Sequence, residues 1–443
     1  MSIKNLLIPF NLVFFILAGL SSPLSSQDQG SLFPVEHHEL QNGLQVILSE
    51  DYSVPVVSVV IAYQVGSIHE KPGKSGIAYL LENLMFQGSE NVGPMQHINF
   101  IHRMGGNLNA VTTEDQTLFY QKVPSNQLAP VLWLEADRMK SLKITSSKVK
   151  KAKTALIQEI QQRKNKDPYL ESSLYFDRLL YPHFIYHHPI FGNESSIREI
   201  TPGDVKEFYS SYYTPNNAVL CIVGHINKKK SMEMVKKYFG TIPKGKEIPS
   251  MALRNFSLEE QTTRTVENPL ASSPGFYLGY RLPSPYSDYY YPLKIIEYIL
   301  IKGDSSRLHE RLIKKEHIAT HLHGEIEKKK NLAAFKIFVL TNNQITRKMS
   351  RKAIFSEINK LKSTAISEDE LRKAKNLLRR NYTYQYSSTL NKAIFLSEKF
   401  LERKKLNFQV ELEKYLSVTP NQITRIMNKY FGPHYFLLNV NIK

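Results

Sequence analysis

Tyr79, Glu82 and Asn83 have the spacing that a hydrolytic metal site uses on a helix. They lie within residues 75–88, a stretch that opens with a serine suited to a helix N-cap and closes with a glycine suited to a helix stop. At about 100° per residue, the apolar residues fall on one side of this helix and the three polar residues on the other. The i, i+3, i+4 spacing is that of a His-x-x-Glu-His helix, in which two imidazoles hold zinc beside a general-base glutamate. Tyr79 and Asn83 stand where the imidazoles would be.

The sequence on both sides of this helix resembles a known family. Residues 66–70 (Gly-Ser-Ile-His-Glu) precede the helix and residues 86–89 (Phe-Gln-Gly-Ser) end it. In this frame the chain resembles the insulinase (pitrilysin) family of inverzincin zinc peptidases, and also the subunits of mitochondrial processing peptidases. The resemblance implies a third ligand position at Glu159, 76 residues after Asn83 on a predicted basic helix. With both histidines replaced, it also implies a degenerate zinc motif.

The residues that remain are a poor set of zinc ligands. A hydrolytic zinc ion needs three protein ligands and an open position for a water molecule whose pKa it lowers towards neutrality. An amide oxygen suits calcium better than zinc, and a phenol is a weak ligand while it keeps its proton. We therefore expect no metal, no other cofactor and no catalytic residue. Glu82 is the residual candidate for a base and Glu159 the residual ligand position.

The resemblance also implies where a substrate would bind. Active family members supply an arginine and, seven positions on, a tyrosine that stabilise the oxyanion from the second domain, after a Ser-Arg-Leu sequence. This chain has Ser-Arg-Leu at 306–308, and the frame places Ile313 and Thr320 at those two positions, so both oxyanion donors are expected to be absent. Asn109 and Ala110 match an edge strand on which the substrate backbone lies, an example of β-augmentation. The alternative is a hairpin that binds nothing.

Two pairs of histidines are candidates for replacement metal ligands. His321 and His323 would lie on one face of a strand, but no third ligand is evident nearby, so an ordinary exposed strand is favoured. His187 and His188 are adjacent and therefore point to different faces, so they are not expected to bind one ion.

A repeat along the chain predicts the fold. Residues 200–224 and 418–442 align at a constant offset of 218, and each reads as a Thr-Pro helix start, an amphipathic helix, a proline turn and a strand. The repeat predicts a duplicated α+β unit, and the family resemblance implies an α+β fold of two homologous domains, each a mostly antiparallel sheet with helices packed on one face. The expected boundaries are a signal peptide (1–26), an N-terminal domain (27–245), a linker (246–260) and a C-terminal domain (261–443).

Export is expected from the first residues. Residues 1–26 contain Lys4, an apolar run and then small and polar residues, the layout of a secretory signal peptide. An uncleaved signal anchor is the alternative. After cleavage we expect a periplasmic or extracellular chain with no stable membrane span. Cys221, the only cysteine, lies in an apolar run and excludes an intrachain disulfide.

Charge and motifs narrow the function classes. The net charge of +18 could favour acidic peptides or an anionic surface, but the basic runs are short and fit solvated turns better, and no nucleic-acid motif accompanies them. We expect a non-catalytic insulinase-family homologue, that is, a pseudoenzyme. It would form a heterodimer with an active zinc peptidase and line the chamber in which that peptidase binds extended peptides. The alternatives are an independent peptide-binding protein and a zinc-dependent metalloendopeptidase with an altered site.

Overall fold

The computed structural model describes residues 35–181, 183–248, 257–404, 406 and 408–443. In these residues the chain folds into two mixed domains, each built on one mostly antiparallel sheet, which confirms the predicted α+β class. The expected signal peptide and residues 249–256 of the expected linker lie outside the described ranges, so those boundaries stay predictions. No helix among the described residues is long and apolar enough to cross a membrane.

The N-terminal domain contains six strands and nine helices within the described residues. The strands are β1 (Glu36–Glu39), β2 (Gln45–Glu50), β3 (Val56–Tyr63), β4 (Asn107–Thr112), β5 (Thr117–Pro124) and β6 (Ala218–Gly224). The helices are α1 (Ile77–Leu84), α2 (Gln96–Arg103), α3 (Leu128–Lys140), α4 (Ser146–Lys166), α5 (Leu170–Leu180), α6 (Phe184–His187), α7 (Glu194–Glu199), α8 (Pro202–Tyr212) and α9 (Lys228–Phe239). The strand order is β1-β2-β6-β3-β5-β4, and only β2 and β6 run parallel. The strand β4 therefore lies at an edge.

The C-terminal domain repeats this plan. Its strands are β7 (Thr262–Asn268), β8 (Gly275–Leu282), β9 (His321–Lys328), β10 (Ala333–Leu340) and β11 (Phe436–Ile442). Its helices are α10 (Tyr290–Leu300), α11 (Gln344–Ser363), α12 (Glu368–Tyr384), α13 (Thr389–Arg403), α14 (Phe408–Leu416) and α15 (Pro420–Tyr430). The order β7-β11-β8-β10-β9 contains one parallel pair, β7 with β11, and leaves β9 at an edge.

The predicted repeat corresponds to equivalent elements of the two domains. Helices α8 and α15 both begin with a capping box, in which Thr201 and Thr419 accept hydrogen bonds from the backbone three residues on, and both have proline in the first turn. The strands that follow these helices occupy equivalent places in the two sheets. Strand β6 lies between β2 and β3, and strand β11 lies between β7 and β8. The equivalent helix caps and the equivalent strand positions both indicate that the two domains are copies of one unit.

Each sheet is buried on both faces by helices from two sources. The helices of each domain cover one face, as the sequence predicted. The second face of the N-terminal sheet is covered by α13, which packs Phe395 and Leu396 against β3 and β6. The second face of the C-terminal sheet is covered by α5, whose Phe176 stacks on Tyr277 with ring centroids 5.3 Å apart. The two domains thus exchange one helix each, and burying both faces ties them together.

Candidate functional site

The start of helix α1 is fixed by a buried acid rather than by the predicted serine cap. The Glu70 carboxylate accepts hydrogen bonds from the backbone N–H groups of Gly76 at 2.8 Å and Ala78 at 3.0 Å. The predicted N-cap at Ser75 was wrong, because the cap position is Gly76 with φ of 91°, a left-handed conformation that glycine adopts without strain. The helix also ends at Leu84, before the predicted stop. A carboxylate near the positive end of the helix dipole stabilises α1.

Glu70 is itself held by His188, one of the two adjacent histidines. The Nε2 of His188 lies 2.9 Å from a carboxylate oxygen of Glu70, and its Nδ1 lies 2.5 Å from the carbonyl oxygen of Phe184. Because both ring nitrogens face acceptors, the doubly protonated imidazolium satisfies both contacts. Burial alone would lower the pKa of His188, but the hydrogen bond and charge of Glu70 outweigh it and raise that pKa.

The predicted ligand positions Tyr79 and Glu159 meet, but as donor and acceptor. The Tyr79 hydroxyl donates to Oε1 of Glu159 at 2.8 Å. Arg163, one turn further along α4, donates to the same oxygen from Nε at 3.0 Å and from Nη2 at 2.7 Å, and Nη2 also lies 3.3 Å from the Tyr79 oxygen. Burial, together with the charge of Glu159, raises the pKa of Tyr79 to about 12, so the phenol keeps its proton at neutral pH. We call these three side chains the Tyr79 cluster.

The other two polar residues of α1 are occupied by separate contacts. The Thr112 hydroxyl donates to Glu82 at 2.5 Å, at the end of the edge strand β4. Glu82 is 9% exposed, and burial raises the pKa of its carboxyl group. The Asn83 side-chain amide donates to the backbone carbonyl of Tyr79 at 3.1 Å, back onto its own helix. Glu82 is therefore tied to a strand, and Asn83 does not join the Tyr79 cluster.

This donor set does not fit a hydrolytic zinc ion. Zinc ligands must offer lone pairs from deprotonated or neutral donors, whereas the phenol and the guanidinium both direct protons at the one carboxylate. Among the described residues, no group of three or more His, Cys, Asp and Glu side chains could hold a metal ion. A divalent ion at Glu159 would have to displace the guanidinium of Arg163.

The predicted substrate residues lie on an open strand edge. Asn109 and Ala110 belong to β4, which pairs with β5 on one side only. The Ala110 N–H donates to the Asn109 side-chain oxygen at 2.9 Å rather than to β5, so it points towards the free edge. Backbone groups on such an edge are available to pair with an added strand. This edge adjoins Thr112 and thus Glu82.

The positions expected to lack oxyanion donors lie in the C-terminal domain. Ile313 is half-buried in a π-helical segment, His309–Lys315, and its side chain has no donor. The Thr320 N–H donates to the Leu340 carbonyl at 2.9 Å. Arg307, of the Ser-Arg-Leu sequence, is held by Glu370 in a bidentate pair with both contacts at 2.7 Å.

The remaining histidines lie apart from these groups. His321 and His323 are exposed on the same face of the edge strand β9. The Nδ1 of His187 lies 3.0 Å from the carbonyl oxygen of Tyr181, whereas His188 contacts Glu70, so the adjacent pair has different partners. The Glu70–His188 contact joins residues 118 positions apart, and no local pattern in the sequence signals it.

Two segments of the chain match models of known protein families. Residues 45–181 match the family described as insulinase (peptidase family M16), and residues 199–378 match the one described as peptidase M16 inactive domain. The chain belongs to the insulinase (M16) family and carries a degenerate form of its zinc motif.

Related proteins match most of the chain. The zinc protease PqqE of Helicobacter pylori is 27% identical, over 94% of this chain and 96% of that protein. Mitochondrial-processing peptidase subunit beta of Dictyostelium discoideum is 27% identical, over 52% of this chain and 50% of that protein. The crystal structure of a protease from Helicobacter pylori superimposes with a TM-score of 0.88 at 26% identity, over 93% of this chain and all of that chain.

Proposed function

We propose that this chain is a non-catalytic insulinase-family subunit that pairs with an active zinc peptidase of the same family and lines its peptide chamber. The observation that carries the proposal is the Tyr79 cluster, in which the one remaining ligand position, Glu159, is bound by a phenol and a guanidinium. Both groups stay protonated at neutral pH, because the pKa of Tyr79 is raised to about 12 and an arginine is always charged. The cluster thus neutralises the carboxylate without a metal ion.

Peptide binding is the function that the remaining parts support. The Ala110 N–H points away from β5 at the edge of β4, where an added strand would replace its present acceptor, the Asn109 side chain. Glu82, close to this edge, accepts a hydrogen bond from Thr112. Main-chain pairing binds an extended peptide irrespective of its side chains, which suits the wall of a chamber. The chain would contribute binding, and its partner the hydrolysis.

A role beside a partner is supported by two relatives that are named as subunits. These are mitochondrial-processing peptidase subunit beta and, at 26% identity over 46% of this chain, subunit 1 of the human cytochrome b-c1 complex. We further propose export to the periplasm or the cell exterior, from the signal-like residues 1–26.

The partner proposal is tested by purifying the tagged chain from its own cells. We expect an insulinase-family chain with an intact His-x-x-Glu-His helix to co-purify, and the reconstituted pair to cleave peptides faster than that chain alone. A chain that stays monomeric and changes no partner's activity would refute the subunit role.

Peptide binding is tested separately with variants of the edge strand. Ala110→Pro removes the outward N–H and keeps the pairing with β5, so it should weaken binding of an extended fluorescent peptide about tenfold, while Ala110→Ser should leave it unchanged. Tight binding by the isolated wild-type chain would favour an independent peptide-binding protein. Equal binding by both variants would exclude the β4 edge.

A further inference from the structure

A polar cavity of about 250 Å³ lies where the two domains meet, away from the Tyr79 cluster. Its walls are the loop 113–116 that follows β4, the hairpin between β9 and β10, and the exchanged helix α13. At ~30 Å³ per water molecule it has room for about eight waters or one small molecule. The cavity thus brings together three segments that are distant in sequence.

Several charged side chains of the wall are already paired. Glu114 receives the ammonium group of Lys329 at 2.5 Å, and Glu402 receives that of Lys328 at 2.5 Å. Burial, with the charge of Lys330, lowers the pKa of His69 to about 4, so this imidazole is neutral. These groups leave little net charge in the cavity.

Three other charged groups of the wall have no hydrogen bond or ion pair from their side chains among the described residues, although the charge of Lys330 acts on Asp115. Oδ1 of Asp115 is buried and has no hydrogen-bond partner among the described residues. The Glu398 carboxylate and the Lys330 ammonium group also face the cavity, and in the described part of the chain neither has a hydrogen bond or ion pair from its side chain. The side-chain oxygen of Gln116 is a further buried acceptor with no partner in those residues.

The buried oxygens of Asp115 and Gln116, with the half-buried Glu398 and Lys330 beside them, favour an occupant that pairs with them. Native proteins satisfy nearly all such groups, and those left over mark bound water, ions or ligands. Burial raises the pKa of both Asp115 and Glu398, whereas nearby lysines, Lys330 for Asp115 and Lys399 for Glu398, act in the opposite direction. An occupant with two cationic donors and one anionic acceptor would complement the two carboxylates and the ammonium group of this wall. Tyr286 and Leu401 offer apolar surface for a short aliphatic chain between them.

We propose that this cavity binds a free dibasic amino acid of the lysine, ornithine or arginine class. The α-ammonium group and the side-chain cation pair with Asp115 and Glu398, and the α-carboxylate pairs with Lys330. The volume admits one amino acid. The ligand would contact both domains and would order the loop 113–116, which continues from the β4 edge.

The test is calorimetric titration of the full-length chain with L-lysine and L-arginine. We expect saturable binding of one molecule per chain. Norleucine, which lacks the side-chain amine, and cadaverine, which is lysine without its carboxylate, should each bind at least tenfold more weakly. Equal affinity for cadaverine would overturn the proposal, because it would show a site for diamines or peptide N-termini. No binding of either amino acid at millimolar concentration would mean a water-filled cavity and would overturn it as well.

Variants assign the contacts. Asp115→Asn and Lys330→Met should each weaken lysine binding about tenfold or more, whereas Glu233→Gln and Lys229→Met, at exposed positions of α9, should not. Hydrogen exchange of residues 113–116 in the wild-type chain should slow on adding lysine, a readout that needs no variant. Unchanged affinity in both cavity variants, or unchanged exchange in that loop at saturating lysine, would refute the site.

Discussion

Helices α1 and α10 occupy equivalent places in the two domains, and each carries a glutamate that reaches the edge strand of its sheet. Glu82 accepts a hydrogen bond from Thr112 of β4, and Glu297 accepts one from the Ile326 N–H of β9 at 3.1 Å. Glu297 is 1% exposed and is paired with Lys294 and Lys302, whereas Glu82 is 9% exposed beside the Tyr79 cluster. In both domains the glutamate ties a helix to an edge strand.

The two helices differ in the residues that surround the hydrogen bond between the glutamate and the edge strand. In the C-terminal domain two lysines on or beside α10 neutralise the glutamate, and most of the helix is buried. In the N-terminal domain the corresponding face of α1 remains partly open and carries Tyr79 and Asn83. A glutamate at this position therefore needs no catalytic role to be useful, which explains how Glu82 persists in a helix that has lost both histidines.

The largest effect is expected from removing the buried glutamate of the C-terminal domain. Glu297→Ala leaves two lysines without their partner and the Ile326 N–H unpaired, so it should lower the free energy of unfolding by about 3 kcal/mol. Urea unfolding followed by circular dichroism measures this, with Glu233→Ala on the surface of α9 as the control. A loss no greater than in the control would show that Glu297 is not a structural tie.

A smaller effect is expected from the histidine that holds the start of α1. His188→Gln should cost about 2 kcal/mol at pH 6, because it weakens the charge-assisted contact to Glu70. The folded pKa of His188 is raised above 6.5, so its contribution is complete below pH 6.5 and is lost as the pH rises through the raised value. The difference between wild type and variant should therefore shrink from pH 6 to pH 9. A difference that grows with pH would contradict the imidazolium assignment.

Glu82 should matter less than Glu297, and like His188 its contribution should fall as the pH rises, although over a lower pH range. Glu82→Gln keeps a polar group near Thr112, so the cost should be about 1 kcal/mol or less. Because burial raises the folded pKa of Glu82 above 4.5, the wild-type group contributes most at low pH and loses that contribution as the pH rises. The variant should accordingly gain relative stability from pH 4 to pH 8. Thermal melts across this range provide the check, and the reverse trend would disprove the assignment.

The smallest effect on stability is expected from Arg163. Both Arg163 and Glu159 are more than a third exposed, so solvent screens their pair and Arg163→Gln should cost about 0.5 kcal/mol. Arg198→Gln is a matched control, since Arg198 pairs with Glu194 at the same i, i+4 spacing on the surface of α7. The cost for Arg163 should be slightly larger, because it also contacts Tyr79. Equal costs would mean that the Tyr79 contact adds nothing.

Sequence reasoning succeeded where local pattern and the family frame were enough. It assigned Glu159 to the third ligand position, and the structure brings that residue to the Tyr79 hydroxyl. It also matched Asn109 and Ala110 to an edge strand and found the duplication from two Thr-Pro helix starts. Each of these assignments depends either on the spacing of residues along the chain or on the alignment with the family motif.

Contacts between segments that are distant in the sequence were not predicted. Amphipathic spacing shows that α5 and α13 have an apolar face, but not which sheet that face covers, so the exchange between domains was not predicted. The cap at Gly76 was missed because the group that satisfies the helix start is Glu70, held in turn by His188. Arg163 lies among several other basic residues of α4, so its sequence context does not reveal its contact with the Tyr79 hydroxyl.

The zinc content of the purified chain tests the central claim most directly. Elemental analysis should find no stoichiometric zinc in the wild type. The variant Tyr79→His/Asn83→His/Arg163→Gln restores both imidazoles and removes the competing cation, so it should hold about one zinc ion per chain through Glu159. One zinc ion per wild-type chain, lost on Glu159→Ala, would contradict the account and identify an altered but functional metal site.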